Sequence, residues 1–291
     1  MRIAVLGIEN GWHCAQLLSA LAARGADASF VTADALTSPA GLPDRRAALT
    51  AFDGLLLRGI PGGSLEQVIF RMDALYALTR AGLPCVNDPK AIERTVDKYF
   101  TTALLDEAGL PVPPTVTAES VDAAMDAFFA LGGDVVYKPL FGSCGNGLLR
   151  LDREDAARAA LPPLVDRGSV LYLQKFIPCS NRDLRAFVVG GRVIAAMRRT
   201  GADWRANCSR GGTAEAVTLS SEQESYTLRA ARAVGAEVAG VDLLVSDVGE
   251  TFVSEVNGCP GFRALSAVSA ADIPGEIADY LLRRIGAARR G

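Results

Sequence analysis

The sequence predicts a mixed α/β (α+β) protein with more than one lobe. Over the first 90 residues, predicted strands alternate with predicted helices, which indicates a parallel sheet. Farther along, paired apolar segments flank short turns, a pattern typical of antiparallel hairpins. The chain has 291 residues, more than most single hydrophobic cores accommodate. We therefore expect two or three lobes.

Composition and charge exclude several classes of protein. The formal net charge of −3 leaves no general nucleic-acid footprint, so we expect no nucleic-acid partner. The apolar N-terminal run ends at Gly7, and no run approaches membrane-spanning length, so we expect no membrane partner and a cytoplasmic location. The single histidine, His13, and six scattered cysteines argue against a zinc site or a histidine-based triad. The chemistry is left to Lys, Arg, Asp, Glu and Asn side chains.

The first 95 residues are expected to form a Rossmann-like lobe. Its predicted strands are residues 2–6, 28–32, 54–57 and 84–87, and its predicted helices are residues 12–24 and 65–80. The turn after the first strand lacks the G-x-G-x-x-G fingerprint, which argues against a nicotinamide-dependent dehydrogenase. Arg58 directly follows a strand, so it either binds an acidic substrate at the carboxyl end of the sheet or is a plain surface arginine.

A glycine-rich loop in the middle of the chain is a candidate phosphate site. It follows a linker with three prolines (residues 109–115), and it joins a strand at 135–138 to a second strand. Gly142, Gly145 and Gly147 let the backbone approach phosphates, and Lys138 on the incoming strand can reach them. The loop is not a Walker A motif, because no Lys-Ser/Thr pair follows Gly147. An ordinary hairpin turn is the alternative.

Three later segments can complete a nucleotide site. The apolar strand at residues 170–177 can bind adenine through its backbone and also serve as a core strand. Arg185 and Arg199 flank a hairpin that turns at residues 190–191. The polar loop at residues 204–212 can bring Arg205 and Asn207 to an anion, although a solvated basic loop is the alternative.

The last strand pair, residues 241–245 and 251–256, carries a candidate metal site. Glu255 and Asn257 are two residues apart on an extended strand and therefore point to the same face, and Asp242 can lie opposite them. Two carboxylates and an amide suit Mg²⁺ and leave positions open for phosphate oxygens. A hairpin with polar residues on its solvent face is the alternative.

In this order, these motifs resemble the ATP-grasp superfamily, and within it the RimK-like α-L-glutamate ligases. The resemblance spans nearly the whole chain and rests on residues 97–98, 109–115, 138–147, 174–177, 183–185, 203–207, 210–212, 240–242 and 255–261. It implies an N-terminal pre-ATP-grasp Rossmann-like domain over residues 1–95. It further implies an ATP-grasp domain over residues 96–291, with a central lid lobe at about 110–172 and a C-terminal lobe at 173–291.

The resemblance also implies a role for each matching residue. The residues expected to bind the phosphates are Lys98, Lys138, Gly142, Ser143, Gly145 and Gly147. Those expected to bind adenine are Gln174, Lys175, Phe176 and Ile177. Asp183 would hold the ribose, Arg205 and Asn207 would face the phosphates and the reacting carboxylate, and Asp242, Glu255 and Asn257 would bind the metal. Arg185 and Arg199 are our candidates for stabilising an acylphosphate or for holding the reacting carboxylate. Many family members have an acidic residue where Lys175 stands, which puts a side-chain contact to adenine in doubt.

The implied activity is an ATP- and Mg²⁺-dependent carboxylate–amine ligase, with Mn²⁺ as a substitute metal. It would add L-glutamate to a small-molecule or protein-tail carboxylate, such as a pterin cofactor tail or a protein C-terminus, and would act as a homo-oligomer. Two alternatives stay open. One is a ligase of the lysine-biosynthesis type that acts on a carrier-bound amino acid, and the other is a catalytically silent ATP-binding regulatory protein.

Overall fold

The computed structural model describes residues 1–9, 11–41, 48–142, 146–204 and 212–290, and these residues form three β-sheets. The first sheet is parallel, has the strand order β2-β1-β3-β4, and consists of β1 (Arg2–Leu6), β2 (Asp27–Val31), β3 (Gly54–Leu57) and β4 (Cys85–Val86). Strand β3 is buried along its whole length, as expected for a parallel sheet with both faces covered. The predicted alternation of strands and helices is confirmed.

Two helices flank this first sheet, α1 (Trp12–Ala22) and α2 (Leu65–Arg80). Helix α2 has the predicted bounds because both of its ends carry a local signal. The Ser64 hydroxyl accepts from the Gln67 N–H, and the Gln67 side chain accepts from the Ser64 N–H. Gly82, just past the last turn, has a φ of +90°, which a residue with a Cβ adopts only with strain.

The connection to the second sheet differs from the prediction. The Asp88–Pro89 pair predicts a break in the chain, and the pattern after it predicts a single helix at residues 96–108. Instead, Pro89 opens helix α3 (Pro89–Val96), because a proline needs no N–H partner in the first turn. Asp97 then separates α3 from α4 (Lys98–Glu107), and its side chain accepts from the Phe100 N–H at 3.0 Å. Lys98 therefore occupies the first position of α4.

The second sheet is antiparallel, with the order β5-β8-β6-β7. Its strands and helices are β5 (Thr115–Ala118), α5 (Val121–Ala130), β6 (Val135–Lys138), β7 (Leu149–Leu151), α6 (Glu154–Ala160), α7 (Pro162–Asp166) and β8 (Leu171–Lys175). Strand β5 was not predicted. Asp152 and the acidic turn after it predict a single helix over residues 152–165, but Pro162 starts a new helix. Met125, Phe128 and Leu173 belong to a core that this sheet and its helices form by themselves.

The third sheet has the order β11-β10-β9-β12-β13 and is also antiparallel. Its elements are β9 (Arg182–Val189), β10 (Arg192–Thr200), β11 (Thr213–Ala216), α8 (Ser221–Val234), β12 (Val238–Val245), β13 (Thr251–Asn257), α9 (Arg263–Val268) and α10 (Ile273–Ala288). Both predicted hairpins are present, β9–β10 and β12–β13. Their strands carry most of the predicted site residues.

The first and third sheets share one hydrophobic core. Leu17 of α1, Phe187 of β9 and Ile277 of α10 belong to the same buried cluster. The side chain of Asn87 strengthens this junction, because it donates to the carbonyls of Val238 and Gly258 at 2.6 Å. The predicted domain boundaries stay a prediction. The expected boundary between the lid lobe and the C-terminal lobe, at 172/173, falls within β8, and β8 pairs with strands of the second sheet.

Among the described helices, none combines the length and apolarity that a membrane span requires.

Candidate active site

One cleft of about 540 Å³ brings together groups from all three sheets. Of the predicted site residues that the structure describes, Gly147 alone does not line it. The residues that do line it are Lys98, Lys138, Gly142, Gln174, Lys175, Phe176, Ile177, Asp183, Arg185, Arg199, Asp242, Glu255 and Asn257. Ser143, Gly145, Arg205 and Asn207 lie outside the described residues.

A network of four charges forms the floor of the cleft. Strand pairing sets Arg199 opposite Asp183 and Arg185 opposite Asp242. Arg199 donates to both oxygens of Asp183 at 2.6 Å, and its Nη2 lies 3.0 Å from Asp242. Arg185 donates to Asp242 from Nε and from Nη2, the second bond being 2.6 Å long. The network is electrically balanced, and all four side chains are nearly buried.

Asp242 is the best stabilised carboxylate of this network. Burial raises the pKa of its carboxyl, but the guanidinium groups of Arg185 and Arg199 lower it more strongly, so the pKa lies below its ordinary value. Asp242 is therefore an anion at neutral pH. An anionic oxygen at this position is available as a ligand for a hard cation.

The predicted metal ligands lie together, Asp242 in the middle of β12 and Glu255 and Asn257 at the end of β13. Asp242 is opposite Glu255, and a bulge follows between Asp242 and Leu243. In the orientation that satisfies its neighbours, the Asn257 amide donates to Glu255 at 3.2 Å and accepts from Arg185 at 3.3 Å. Among the described residues, no three His, Cys, Asp or Glu side chains form a metal cluster. The set of two carboxylates and one amide nonetheless fits Mg²⁺, which keeps few protein ligands beside phosphate and water oxygens.

Two lysines face this acidic end of the cleft from different elements. The Lys98 ammonium donates to the Gly142 carbonyl at 2.7 Å, and the Lys138 ammonium lies 3.5 Å from the Ser254 hydroxyl. The pKa of each lysine lies below its ordinary value, because the lowering effect of burial exceeds the raising effect of the nearby Glu255. Half-buried cations beside a carboxylate and a glycine turn make a suitable site for a phosphate chain.

Strand β8 and the residues after it carry the side chains that are predicted to bind adenine. The N–H of Lys175 donates to the Pro114 carbonyl at 2.8 Å, but Pro114 has no N–H to return a bond to the Lys175 carbonyl. Because the N–H and C=O of one residue in a strand point to the same side, the Lys175 carbonyl also faces Pro114, and Lys175 lines the cleft. The Gln174 side chain is directed elsewhere, since it donates to Thr115 and Tyr172 at 3.0 Å. Apolar side chains complete this wall, namely Val136, Phe176, Ile177, Met197 and Leu244.

The cleft is also lined by His13 and Arg263, which were not predicted for the site, and by Arg58, for which binding of an acidic substrate was one of two predictions. Arg58 is half-buried and donates to the Pro260 carbonyl at 2.9 Å, so the interpretation of a plain surface arginine is wrong. The His13 Nε2 accepts from the Phe262 N–H at 3.1 Å. The position of Arg58 after a strand was the one available signal, whereas His13 and Arg263 offered none.

Comparison with known sequences places this chain in a family. A model described as a RimK-like ATP-grasp domain matches residues 95–281. The tetrahydromethanopterin:α-L-glutamate ligase of Methanococcus maripaludis is 32% identical, and the match covers 97% of this chain and 98% of that protein. The enzyme of the same name from Methanosarcina acetivorans is 40% identical over 209 residues, 67% of this chain and 64% of that protein. The chain thus matches less than two thirds of the second relative.

Solved structures agree on the fold. The crystal structure of a RimK domain protein ATP-grasp from Sphaerobacter thermophilus is 25% identical, with a TM-score of 0.77 and coverage of 97% of this chain and 100% of that chain. ATP-grasp ligase PsnB, complexed with minimal precursor, Mg and ADP, is 23% identical, with a TM-score of 0.74 and coverage of 98% of both chains. The fold expected from the sequence is confirmed, and this chain belongs to the RimK-like ATP-grasp family.

Proposed function

We propose that this protein is an ATP- and Mg²⁺-dependent carboxylate–amine ligase that adds L-glutamate to an acceptor carboxylate. The observation that carries the proposal is the convergence of Lys98, Lys138, Arg185, Asp242 and Glu255 on one cleft. Relatives are named α-L-glutamate ligases or probable α-L-glutamate ligases, and both of those described above are named for tetrahydromethanopterin. The acceptor that we favour is therefore a carboxylate at the end of a pterin tail or a similar cofactor tail.

ATP is proposed to lie between the second and third sheets. The adenine amino group would donate to the Lys175 carbonyl, which Pro114 leaves without a return partner. The ring would pack against the apolar wall that includes Ile177, Met197 and Leu244. The phosphates would then extend toward Lys98 and Lys138, the two ammonium groups on the way to Glu255.

The metal is proposed to bind to Asp242, Glu255 and Asn257. Solved structures of ATP-grasp ligases include one with Mg and ADP, which supports Mg²⁺ as the ion. Oxygen ligands of this kind also accept Mn²⁺, and we propose that Mn²⁺ can replace Mg²⁺. When bound, the ion would neutralise charge on the phosphate oxygens and hold them for transfer.

The chain's own residues would direct a two-step reaction. In the first step, the acceptor carboxylate attacks the γ-phosphate, which yields an acylphosphate and ADP. In the second step, the glutamate amine attacks the acyl carbon, an amide bond forms, and phosphate leaves. Arg185 and Arg199 are proposed to stabilise the negative charge of the acylphosphate, because their positions are set by Asp242 and Asp183.

The test is to measure ADP release with Mg²⁺-ATP against a panel of carboxylate acceptors and amino acids, and to weigh the products by mass spectrometry. A gain of one glutamyl unit on one acceptor is the expected result. A gain of a different amino acid on a carrier protein would instead support the lysine-biosynthesis type. Tight ATP binding without release of ADP for any pair would support a regulatory protein. The homo-oligomer that the resemblance implies is measured separately by light scattering.

A further inference from the structure

Two arginines and the single histidine gather at the end of the cleft that faces the first sheet. Arg58 follows β3, His13 lies in the helix that follows β1, and Arg263 begins α9. Strand β1 stands between β2 and β3, so the chain crosses from one side of β1 to the other. In open α/β sheets, ligands bind outside the carboxyl ends of the strands at such a switch point. Topology and side chains therefore indicate the same position.

Neither arginine has an anionic partner within the part of the chain that the structure describes. Arg58 gives one hydrogen bond to the neutral Pro260 carbonyl, and its Nε is buried without a partner. Burial lowers the pKa of Arg58, and no carboxylate opposes this effect. Arg263 lies over the Trp12 ring at 5.7 Å and forms no ion pair with a described residue. By contrast, Arg185 and Arg199 on the cleft floor are both paired with carboxylates.

An enclosed cation without a counter-ion is costly unless a ligand provides one. The planar guanidinium group matches the two oxygens of a carboxylate. His13 adds a neutral donor rather than a charge. The pKa of His13 is lowered most by burial, next by Arg58 and least by Arg263. Since Nε2 accepts a hydrogen bond from the Phe262 N–H, the ring proton of the neutral form lies on Nδ1. The chemistry of this end of the cleft is therefore that of a carboxylate site.

This end lies close to the proposed reaction centre. A Cβ built on Gly240 would meet the Pro260 side chain at 2.8 Å and the Arg185 Nη1 at 3.0 Å. Pro260 therefore lies next to Arg185, and the carbonyl of the same Pro260 receives the bond from Arg58. One small substrate can thus have its reacting group near Arg185 and a second group near Arg58.

We propose that Arg58 and Arg263, with His13 as a neutral donor, bind a substrate carboxylate that is not the one being phosphorylated. This proposal rests on the ligase function proposed above. Two substrates of such a ligase carry a carboxylate of this kind, the incoming amino acid and an acceptor tail that ends in more than one carboxylate. Either way, the three residues determine substrate specificity, and they act on binding rather than on phosphoryl transfer.

The test compares Arg263→Gln and Arg58→Gln with Arg232→Gln, an exposed arginine on α8 that serves as the matched control. Isothermal titration of protein loaded with a non-hydrolysable ATP analogue measures the affinity for L-glutamate and for a glutamyl-glutamate dipeptide that represents an acceptor tail. In both cleft variants, we expect the affinity for one of these two probes to fall about tenfold or more, equivalent to about 1.4 kcal/mol. The probe whose affinity falls identifies the substrate that the site binds.

A second arm uses uncharged analogues of the weakened probe, in which one carboxylate at a time is a carboxamide. Wild-type protein is expected to bind one of these amides about tenfold more weakly than the carboxylate, and the Arg263→Gln variant is expected to lose this difference. Unchanged affinity for both probes in Arg263→Gln, or no binding of either probe to the wild type, overturns the proposal. Arg263 is exposed, so this variant stays informative if Arg58→Gln fails to fold.

Affinity for the ATP analogue separates failure of this proposal from failure of the proposed function. All three variants should bind the analogue as the wild type does. If the wild type binds the analogue and a probe but releases no ADP, the proposed ligase function is wrong. The titrations of the cleft variants then still show whether the carboxylate site exists. If ADP is released and the KM values for both substrates are unchanged in the cleft variants, the ligase stands and the carboxylate site is wrong.

Discussion

Arg199 and Asp183 stand opposite each other on neighbouring strands, and the guanidinium donates two hydrogen bonds of 2.6 Å to the carboxylate. Their side chains are only 7% and 12% exposed. Arg199 also contacts Asp242 at 3.0 Å, so loss of either acid leaves an arginine with excess charge. The pair therefore links the stability of the third sheet to the floor of the cleft.

The Asp183→Asn substitution should destabilise the protein strongly. It leaves the Arg199 guanidinium buried with one carboxylate instead of two, and removal of one partner from a buried pair costs about 3–5 kcal/mol. Urea denaturation followed by circular dichroism measures the change in the free energy of unfolding.

Glu215→Gln is the matched control for this effect. It removes the partner of Arg198, which is next to Arg199 on the same strand. The side chains of Arg198 and Glu215 are 41% and 62% exposed. An exposed pair contributes about 0–1 kcal/mol, so little change is expected. Equal effects of the two substitutions would contradict the importance that we assign to burial.

Glu255→Gln should abolish turnover while the fold is kept. The change removes one of the two proposed anionic metal ligands but preserves the shape of the side chain. We expect kcat to fall by a factor on the order of 100 or more, as for other losses of transition-state charge stabilisation. Steady-state ADP release provides the measurement, and Glu250→Gln, in the exposed turn of the same hairpin, is the control. Normal activity in Glu255→Gln would refute the metal assignment.

Lys138→Ala should weaken ATP binding. Its ammonium group lies within the cleft near Glu255, where loss of one phosphate contact is expected to reduce affinity about tenfold or more. The exposed Lys90 on α3 provides the control, Lys90→Ala. Fluorescence titration with ATP compares the two variants, and equal affinities would remove Lys138 from the phosphate site.

The protein should discriminate ATP from inosine triphosphate. The Lys175 carbonyl accepts hydrogen bonds and lacks a return donor from Pro114, so it suits the amino group of adenine and opposes the 6-oxo group of inosine. We expect inosine triphosphate to bind about tenfold more weakly. Competition titrations test this, and equal binding would place the base elsewhere.

His13 should make the protein less stable as the pH falls. Its pKa in the folded state is lowered by burial and by the two neighbouring arginines, so the unfolded chain binds the proton more tightly. Stability is therefore expected to decrease as the pH falls through the ordinary histidine value of about 6.5, and to level off below the pKa of the folded state. His13→Gln should flatten this dependence.

Since the chain has one histidine, nuclear magnetic resonance gives its folded-state pKa without ambiguity. A value at or above that of an unperturbed histidine would contradict the expected direction. The same measurement in Arg263→Gln should show a rise, because Arg263 is one of the two charges that lower the value.

Local signals explain which elements could be predicted. Helix α2 was predicted with its bounds because Ser64 and Gln67 cap one end and Gly82 follows the other. The helix break at Asp97 was missed although Asp97 is a good N-cap. Only packing decides whether an aspartate starts a new helix. Strand β5 was missed because it follows a proline-rich linker and its pairing with β8 is not visible in sequence.

Residues of the candidate site could be grouped from the sequence where they belong to recognisable motifs. Asp242, Glu255 and Asn257 lie within one hairpin, so alternation along a strand was enough to group them. The Arg199 bonds to Asp183 and Asp242 depend on strand register, which the sequence does not specify across β9, β10 and β12. The approach of His13, Arg58 and Arg263 depends on contacts between two sheets and therefore could not be inferred.

The shared core of the first and third sheets has a consequence for the design of truncated proteins. The family model begins at residue 95, yet a fragment that starts there would lose Leu17 and the rest of α1, against which α10 packs. Such a fragment would expose Phe187 and Ile277 to water and would be expected to aggregate. The second sheet has a core of its own and is therefore the portion whose packing depends least on this shared core. The segment that a family model recognises is therefore not, in this protein, the segment that folds alone.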